Sequence, residues 1–333
     1  MRVLGILIIC LLQGSCMSQV NQKINGISFV ASREEVTQNH VDQVVAIHAN
    51  HAAVMPFGFM RDLSSPEIIH NTERQWFGET KSGAKQYIEI LHKNGLQVMI
   101  KPHIWIRRGE FTGTMAMNSE EDWLSLEKSY ESFILTYAEL AQETNAELLC
   151  IGTELEQFVA QRPAFWKKLI TKIRSVYKGK LTYAANWDEY DRTTFWEDLD
   201  YIGIDAYFPL GEEKTPTVAQ LKEGWKRWKT KIAALSKEKD KPVLFTEFGY
   251  RSMDFTAKKP WEVEKHQEKV NHDGQVNAQR AIFEEFWAEE WFAGGYVWKW
   301  FINHEEAGGM DDNRFTPQNK PAEKVIAEYF KNH

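Results

Sequence analysis

The feature that most constrains this chain is a series of eight short apolar runs, each separated from the next by a longer stretch of mixed polarity. The runs are Ile27–Ala31, Ala52–Phe59, Leu96–Ile104, Leu148–Gly152, Leu181–Ala185, Tyr201–Ala206, Val243–Glu247 and Gly295–Trp300. Their length suits strands, and their near-continuous apolar character suits strands buried on both faces. The intervening stretches Ser82–Asn94, Glu120–Glu143, Pro163–Tyr177, Val218–Ser236 and Val276–Phe292 read as helices. In the second of these, Leu126, Tyr130, Phe133, Ile134, Tyr137 and Leu140 recur with a helical period. Pro163 and Pro216 stand where first helical turns are expected. Strand–helix alternation with buried strands implies a parallel sheet, and eight repeats imply closure into a (β/α)8 TIM barrel. The alternative, an open doubly wound sheet, lacks its glycine-rich loop after the first strand. A chain of 333 residues holds one such barrel with insertions. No composition shift or linker divides it, so residues 24–330 are expected to form a single domain.

The first sixteen residues stand apart from that pattern. Met1–Cys16 carries one basic residue, Arg2, followed by an apolar run from Val3 to Leu12. The run is too short to span a bilayer and fits the core of an export signal. Gly14 and Ser15 lead into Cys16, as in a lipoprotein signal in which Cys16 becomes the lipidated first residue; Gln13 departs from the usual apolar residue there. The expectation is an exported protein anchored to a membrane through Cys16 and facing the periplasm; the alternative is a plain secretory signal. With Cys10 lost in the leader, Cys150 is the other cysteine of the mature chain, and it reads as a packed, inert thiol.

Charge and aromatic content narrow the partners. The formal net charge is −7 and no basic run of five or more residues is present, which argues against nucleic acid. Thirteen tryptophans exceed what core packing ordinarily uses, and indole faces stack on the C–H faces of sugars. No His/Asp cluster has metal-ligand spacing, and no cofactor is expected.

Catalytic groups of a TIM barrel lie where strands open into their C-terminal loops. The fourth run opens into Gly152-Thr153-Glu154-Leu155-Glu156, and the seventh into Phe245-Thr246-Glu247-Phe248-Gly249. Taken singly, a glutamate after an apolar run is commonly a helix N-terminal residue favoured by the dipole. Taken together, Glu154 and Glu247 supply the two carboxyl groups that glycosidic-bond cleavage requires. Glu156, two residues further on, is expected to be supportive rather than catalytic. The long segment Arg251–Asn271 is expected to form a wall of the cleft, with Trp261 as a stacking surface.

These residues lie in segments that resemble glycoside hydrolase family 113 along nearly all of the mature chain: VMPFGF (Val54–Phe59), KPHIWI (Lys101–Ile106), IGTELE (Ile151–Glu156), NWDEY (Asn186–Tyr190), DYIGIDAYFPL (Asp200–Leu210), PVLFTEFGYRS (Pro242–Ser252), YVWKWF (Tyr296–Phe301) and TPQNKPA (Thr316–Ala322). The resemblance implies a retaining β-glycosidase acting on β-1,4-mannan or mannooligosaccharides. It implies Glu154 as acid/base, Glu247 as nucleophile, Tyr207 as hydrogen-bond donor to the nucleophile and Trp298 as the floor of the sugar subsite. His103 and Asn186 follow as polar contacts, and Trp105 joins the substrate-binding set. In the wider clan an asparagine commonly precedes the acid/base and contacts the sugar 2-hydroxyl; here that position is Thr153, which leaves Asn186 as its candidate replacement. Two other readings stay open: an exo-acting β-mannosidase, other β-glycosidase or transglycosylase on the same pair, and a glycan-binding lipoprotein without catalysis.

Overall fold

In a computed structural model that describes residues 22–262 and 269–333, the eight runs become the staves of one closed parallel barrel. The strands are β1 (Ile24–Phe29), β2 (His51–Val54), β3 (Gln97–Ile100), β4 (Leu148–Thr153), β5 (Lys180–Asn186), β6 (Ile202–Asp205), β7 (Val243–Phe248) and β8 (Phe292–Trp300). Each pairs with its sequence neighbours, and β1 pairs with β8 to close the ring. The helices are α1 (Gln38–Ala46), α2 (Lys81–Lys93), α3 (Glu120–Thr144), α4 (Glu156–Gln161), α5 (Pro163–Val176), α6 (Val218–Lys239), α7 (His272–Phe286) and α8 (Pro321–Asn332). The leader and Cys16 lie outside the described residues. No described helix is long and apolar enough to cross a membrane.

The fold differs from the sequence expectation in places where proline or a turn interrupts an apolar run. The second and third runs each break, at Pro56 and Pro102, which have no N–H to extend a ladder. Beyond the breaks the chain resumes as Phe57–Met60 and His103–Ile106, which pair with each other as a separate two-stranded parallel ribbon above the barrel. Strand–helix alternation is also imperfect. Two helices follow β4, whereas β5 and β6 are joined through only a short 3-10 turn at Trp196–Asp198. Helix α7 ends at Phe286 and β8 begins at Phe292, so the helix expected to reach Phe292 is shorter and the strand longer.

Local chemistry sets the helix ends. Ser119 caps α3 by accepting from the Asp122 amide, with Glu120, Glu121 and Asp122 in the positive first turn. Asn145, in left-handed backbone, ends it. Pro163 occupies the first turn of α5, while Pro216 precedes the Thr217 cap of α6 rather than entering the helix. The apolar stripe of α3, including Tyr130, Phe133 and Tyr137, packs into the layer between barrel and helices, where Trp166, Trp225 and Trp287 are fully buried. Truncating one such ring to alanine typically costs about 3–5 kcal/mol, so this layer contributes strongly to holding the barrel. Inside the barrel, Ala53, Met99, Leu148, Cys150, Ala184, Leu244 and Tyr296 form a small second core. The Tyr296 ring fills it against Gly26, where any Cβ would collide with that ring. Burial pushes the Cys150 thiol up to about 11, which keeps it protonated and unreactive.

Candidate active site

The barrel interior changes character at its C-terminal end. Lys101, immediately after β3, is fully buried and reaches across to β6 and β7. Its Nζ donates to Asp205 Oδ1 at 3.0 Å, Asp205 Oδ2 at 3.2 Å and Glu247 Oε1 at 2.5 Å. Thr246 Oγ1 donates to Asp205 Oδ1 at 2.7 Å, and Tyr207 Oη donates to Glu247 Oε2 at 2.7 Å. The ladder between β6 and β7 shifts register between Ile204 and Asp205, which sets Asp205 opposite Glu247. Such bulges re-aim side chains at barrel rims.

Glu154 is held differently. It follows the last residue of β4 with φ of 51°, in left-handed backbone. A non-glycine residue there costs about 1–3 kcal/mol and persists only where its surroundings enforce it. Its amide donates to the Ala184 carbonyl at 2.8 Å, and its carbonyl accepts from Thr112 Oγ1 at 3.1 Å. Its carboxyl makes no hydrogen bond among the described residues.

Burial and the charges of Asp205 and Glu247 lift the Glu154 carboxyl well above the usual carboxylate range, with Lys101 opposing. Burial and Asp205 also push Glu247 up, to about 7, while Lys101 and Tyr207 pull it back. With two donors on Glu247 and none on Glu154, a proton shared by the pair belongs on Glu154. Burial, helped by Lys101 and Lys299, drives the His103 imidazole well below its ordinary value, so the ring is neutral. Its Nε2 lies 3.7 Å from Glu247 Oε1 and has no hydrogen-bond partner. Thr153 Oγ1 is likewise buried and unpartnered.

Of these groups Glu154, Glu247, Asp205, Tyr207, His103 and Thr153 border one cleft of about 700 Å³. Its lining includes Glu154, Glu247, Tyr207, Asn186 and His103, with the aromatic surfaces of Trp105, Phe111, Trp187, Trp261, Trp298 and Phe315. Trp298 lies parallel to the His103 ring, with centroids 6.1 Å apart. Among the described residues no group of three or more His, Cys, Asp or Glu side chains is placed to hold a metal ion. A shallower depression of about 830 Å³, lined by Arg33, Gln75, Lys85 and Glu143 among others, holds no such set of converging acids.

A model of glycoside hydrolase family 113 matches residues 30–320. The chain belongs to this family. Solved structures agree. A family 113 β-mannanase from Alicyclobacillus acidocaldarius, solved in complex with ManMIm, is 25% identical with a TM-score of 0.80, the match covering 93% of this chain and 97% of that one. A complex of a family 113 β-1,4-mannanase is 22% identical with a TM-score of 0.81, covering 94% and 100%. The β-glucuronidase of Faecalibacterium prausnitzii shares the fold alone, at 14% identity and a TM-score of 0.61 over 93% of this chain and 49% of its own. A search of curated proteins finds no match. The molecule is therefore a family 113 glycoside hydrolase on a TIM barrel, an enzyme of β-linked glycans.

Every residue that sequence reasoning placed at the site of this family 113 enzyme, Glu154, Glu247, His103, Trp105, Asn186, Tyr207, Trp261 and Trp298, borders the same cleft. Asn186 Oδ1 accepts from the Trp187 amide at 2.9 Å, which leaves its NH2 without a described partner. Glu156 is the first residue of α4 and pairs with Arg192 at the surface. Trp261 stacks on Trp187, with centroids 4.7 Å apart and planes 25° from parallel. Six of the thirteen tryptophans are buried in the core and four line the cleft. Sequence reasoning missed Lys101 and Asp205 as site residues. Their signal was a charge inside a segment otherwise apolar enough to be a buried strand.

Proposed function

We propose that this family 113 enzyme hydrolyses β-1,4-linked mannan or mannooligosaccharides with retention of anomeric configuration. The observation that carries the division of roles is the unequal treatment of the two cleft glutamates. Glu247 receives two hydrogen bonds, from Lys101 and Tyr207, that favour its ionised form. Glu154 receives none and sits under the repulsion of Asp205 and Glu247. In the first step Glu247 attacks the anomeric carbon while Glu154 gives its proton to the departing glycosidic oxygen. The C–O bond breaks and a glycosyl–Glu247 ester forms. In the second step Glu154, now a base, takes a proton from water; the resulting hydroxide equivalent attacks the anomeric carbon and releases Glu247. Tyr207 and Lys101 hold the Glu247 oxygens throughout. Trp298 is the floor under the sugar.

The mannan assignment rests on the named activity of the similar solved enzymes, and the orphaned polar atoms of the cleft suit a hydroxyl-rich ligand. His103 Nε2 and Thr153 Oγ1 are buried without partners, and the Asn186 amide nitrogen is uncommitted. Buried polar groups left unpaired are costly, so groups awaiting a substrate hydroxyl explain them. A site with such groups rejects an analogue that leaves them unpaired. We assign the enzyme to the cell envelope, exported and tethered through lipidated Cys16, where it would meet shortened oligosaccharides. The test compares kcat/KM for mannotetraose and cellotetraose. At least about a tenfold preference for the manno substrate is expected, roughly 1.4 kcal/mol of discrimination. Equal or faster cleavage of the gluco substrate overturns the mannan assignment and leaves the two-glutamate chemistry standing.

A further inference from the structure

The backbone that carries Glu154 is tied to its neighbours by a third bond that leads away from the cleft. Leu155 lies between β4 and α4, where its amide belongs to neither a ladder nor a helix. It donates instead to the hydroxyl of Tyr183, on β5, at 2.7 Å. Tyr183 is fully buried, and its own hydroxyl proton goes to Glu189 Oε1 at 2.7 Å. The other oxygen, Glu189 Oε2, accepts from the Asn186 amide at 3.1 Å. One carboxylate thus ends a chain of donors that begins beside Glu154 and also holds the backbone of cleft-lining Asn186. Successive bonds of this kind polarise and strengthen one another.

Glu189 is an expensive residue to place here. It is 2% exposed, and no Lys, Arg or His among the described residues pairs with it. The charged groups it faces are Glu156 at the start of α4 and Asp205 at the end of β6, both of its own sign. Arg192, in the same loop, pairs with Glu156 instead. Burial outweighs the bonds from Tyr183 and Asn186 and pushes the Glu189 carboxyl up to about 7. Its two oxygens each take one donor, from Tyr183 and from the Asn186 backbone, whereas a glutamine amide has a single acceptor oxygen and would set its NH2 against the other donor, so the paired bonds select a carboxylate despite its desolvation cost.

We propose that Glu189, acting through Tyr183, is a positioning residue for the acid/base: it fixes the Leu155 amide and with it the left-handed turn that aims Glu154 into the cleft. Its charge has a second effect. Ionised Glu189 adds to Asp205 and Glu247 in disfavouring a charged Glu154, against the pull of Lys101. The inference rests on Glu154 being the acid/base, as proposed above.

The test measures kcat/KM, which reports the glycosylation step, for wild type, Tyr183→Phe and Glu189→Gln over a range of pH. Two substrates are used: mannotetraose, whose leaving group needs a proton, and a dinitrophenyl β-mannoside, whose leaving group does not. Tyr183→Phe should lose about 10- to 100-fold on mannotetraose, the scale of a misplaced catalytic group. On the aryl substrate it should lose no more than about threefold. Glu189→Gln should move the basic limb of the mannotetraose profile down by about half a pH unit or more, because Glu154 then gives up its proton more readily. Equal losses on both substrates, or an unmoved basic limb in Glu189→Gln, overturn the inference. Should Tyr183→Phe not fold, Glu189→Gln, which keeps the shape and one acceptor oxygen, decides alone. A wild type that cleaves the aryl mannoside but not mannotetraose overturns the acid/base reading and this inference with it. An active wild type with unresponsive variants overturns this inference only.

Discussion

The C-terminal ends of β7 and β4 each present a glutamate to the same cleft, and the two are surrounded in different ways. At β7 the side chain is fixed: Lys101 and Tyr207 each donate to one oxygen of Glu247, and Asp205 braces the lysine from the neighbouring strand. At β4 the backbone is fixed: bonds to Ala184, Thr112 and Tyr183 hold the peptide around Glu154 while its carboxyl carries no bond. The difference matches two chemical tasks. A nucleophile must keep one charge state and one position, which preorganised donors supply. An acid that later becomes a base must change its charge state within one turnover, and fixed donors to its carboxyl would resist that change.

Glutamine at each position should separate the two tasks most sharply. Glu247→Gln should lower kcat/KM on every substrate by at least about 10⁴-fold, about 5.5 kcal/mol. Glu154→Gln should lose about as much on mannotetraose but only about tenfold or less on a dinitrophenyl mannoside, which departs without a proton. Steady-state kinetics on the two substrates reads the contrast. Identical responses of the two variants to leaving group would erase the distinction between the strand ends.

The next largest effect concerns what fixes the β7 side. Lys101→Met leaves Asp205 and Glu247 facing each other, buried, with no cation between them. Breaking a buried ion pair from one side typically costs about 3–5 kcal/mol. The urea midpoint should fall accordingly with the slope unchanged. The sign of the pH dependence follows from the same groups. Losing Lys101 raises both folded-state carboxyl pKa values further above their unfolded values. The deficit should therefore be largest above neutrality and shrink as pH falls through those raised values toward the ordinary carboxyl range. A deficit that grows on acidification would show that Lys101 does not offset these charges.

The contrast between the strand ends also marks what the sequence revealed. The barrel was legible because eight apolar runs and the helical period of α3 are local patterns set by burial. The two glutamates were legible because strand ends are local too. Pro56 and Pro102 were visible, yet the ribbon they create depends on two distant segments meeting, which no local pattern encodes. Lys101 and Asp205 were hidden for the same reason: a charge in an apolar run reads as an irregularity until its partner, 104 residues away, is known. The Tyr183–Glu189 link needed the left-handed turn at Glu154, and backbone sign is not written in side-chain chemistry at a non-glycine residue.

A smaller effect is expected where a single donor is removed. Tyr207→Phe leaves Glu247 with Lys101 alone. A hydrogen bond to a charged group contributes about 1.5–3 kcal/mol, so kcat/KM should fall by roughly 10- to 150-fold. Loss of a donor to the ionised form raises the pKa of Glu247 above its value of about 7. The acidic limb of the profile should therefore move to higher pH while the basic limb, which reports Glu154, changes little. A shift of the basic limb instead would assign Tyr207 to the β4 side.

The smallest effect tests whether the cleft extends beyond the two strand ends. Trp261 follows β7 in the chain and Trp187 follows β5, and their stacked rings form one aromatic surface on the cleft wall. Neither ring touches the Glu154–Glu247 pair through any described hydrogen bond, so their contribution should be binding rather than chemistry. One face of Trp261 is already covered by Trp187, which limits what a sugar gains from it. An aromatic pair of this kind contributes about 0.5–1.5 kcal/mol beyond its buried area. Trp261→Ala should therefore weaken kcat/KM by about 2- to 10-fold on mannopentaose or longer. The effect on an aryl mannoside, which carries one sugar, should be within about twofold. Comparing chain lengths reads the result directly. A uniform loss at every length would place Trp261 among the groups that hold the catalytic end of the barrel, and no loss at any length would remove it from the glycan's path.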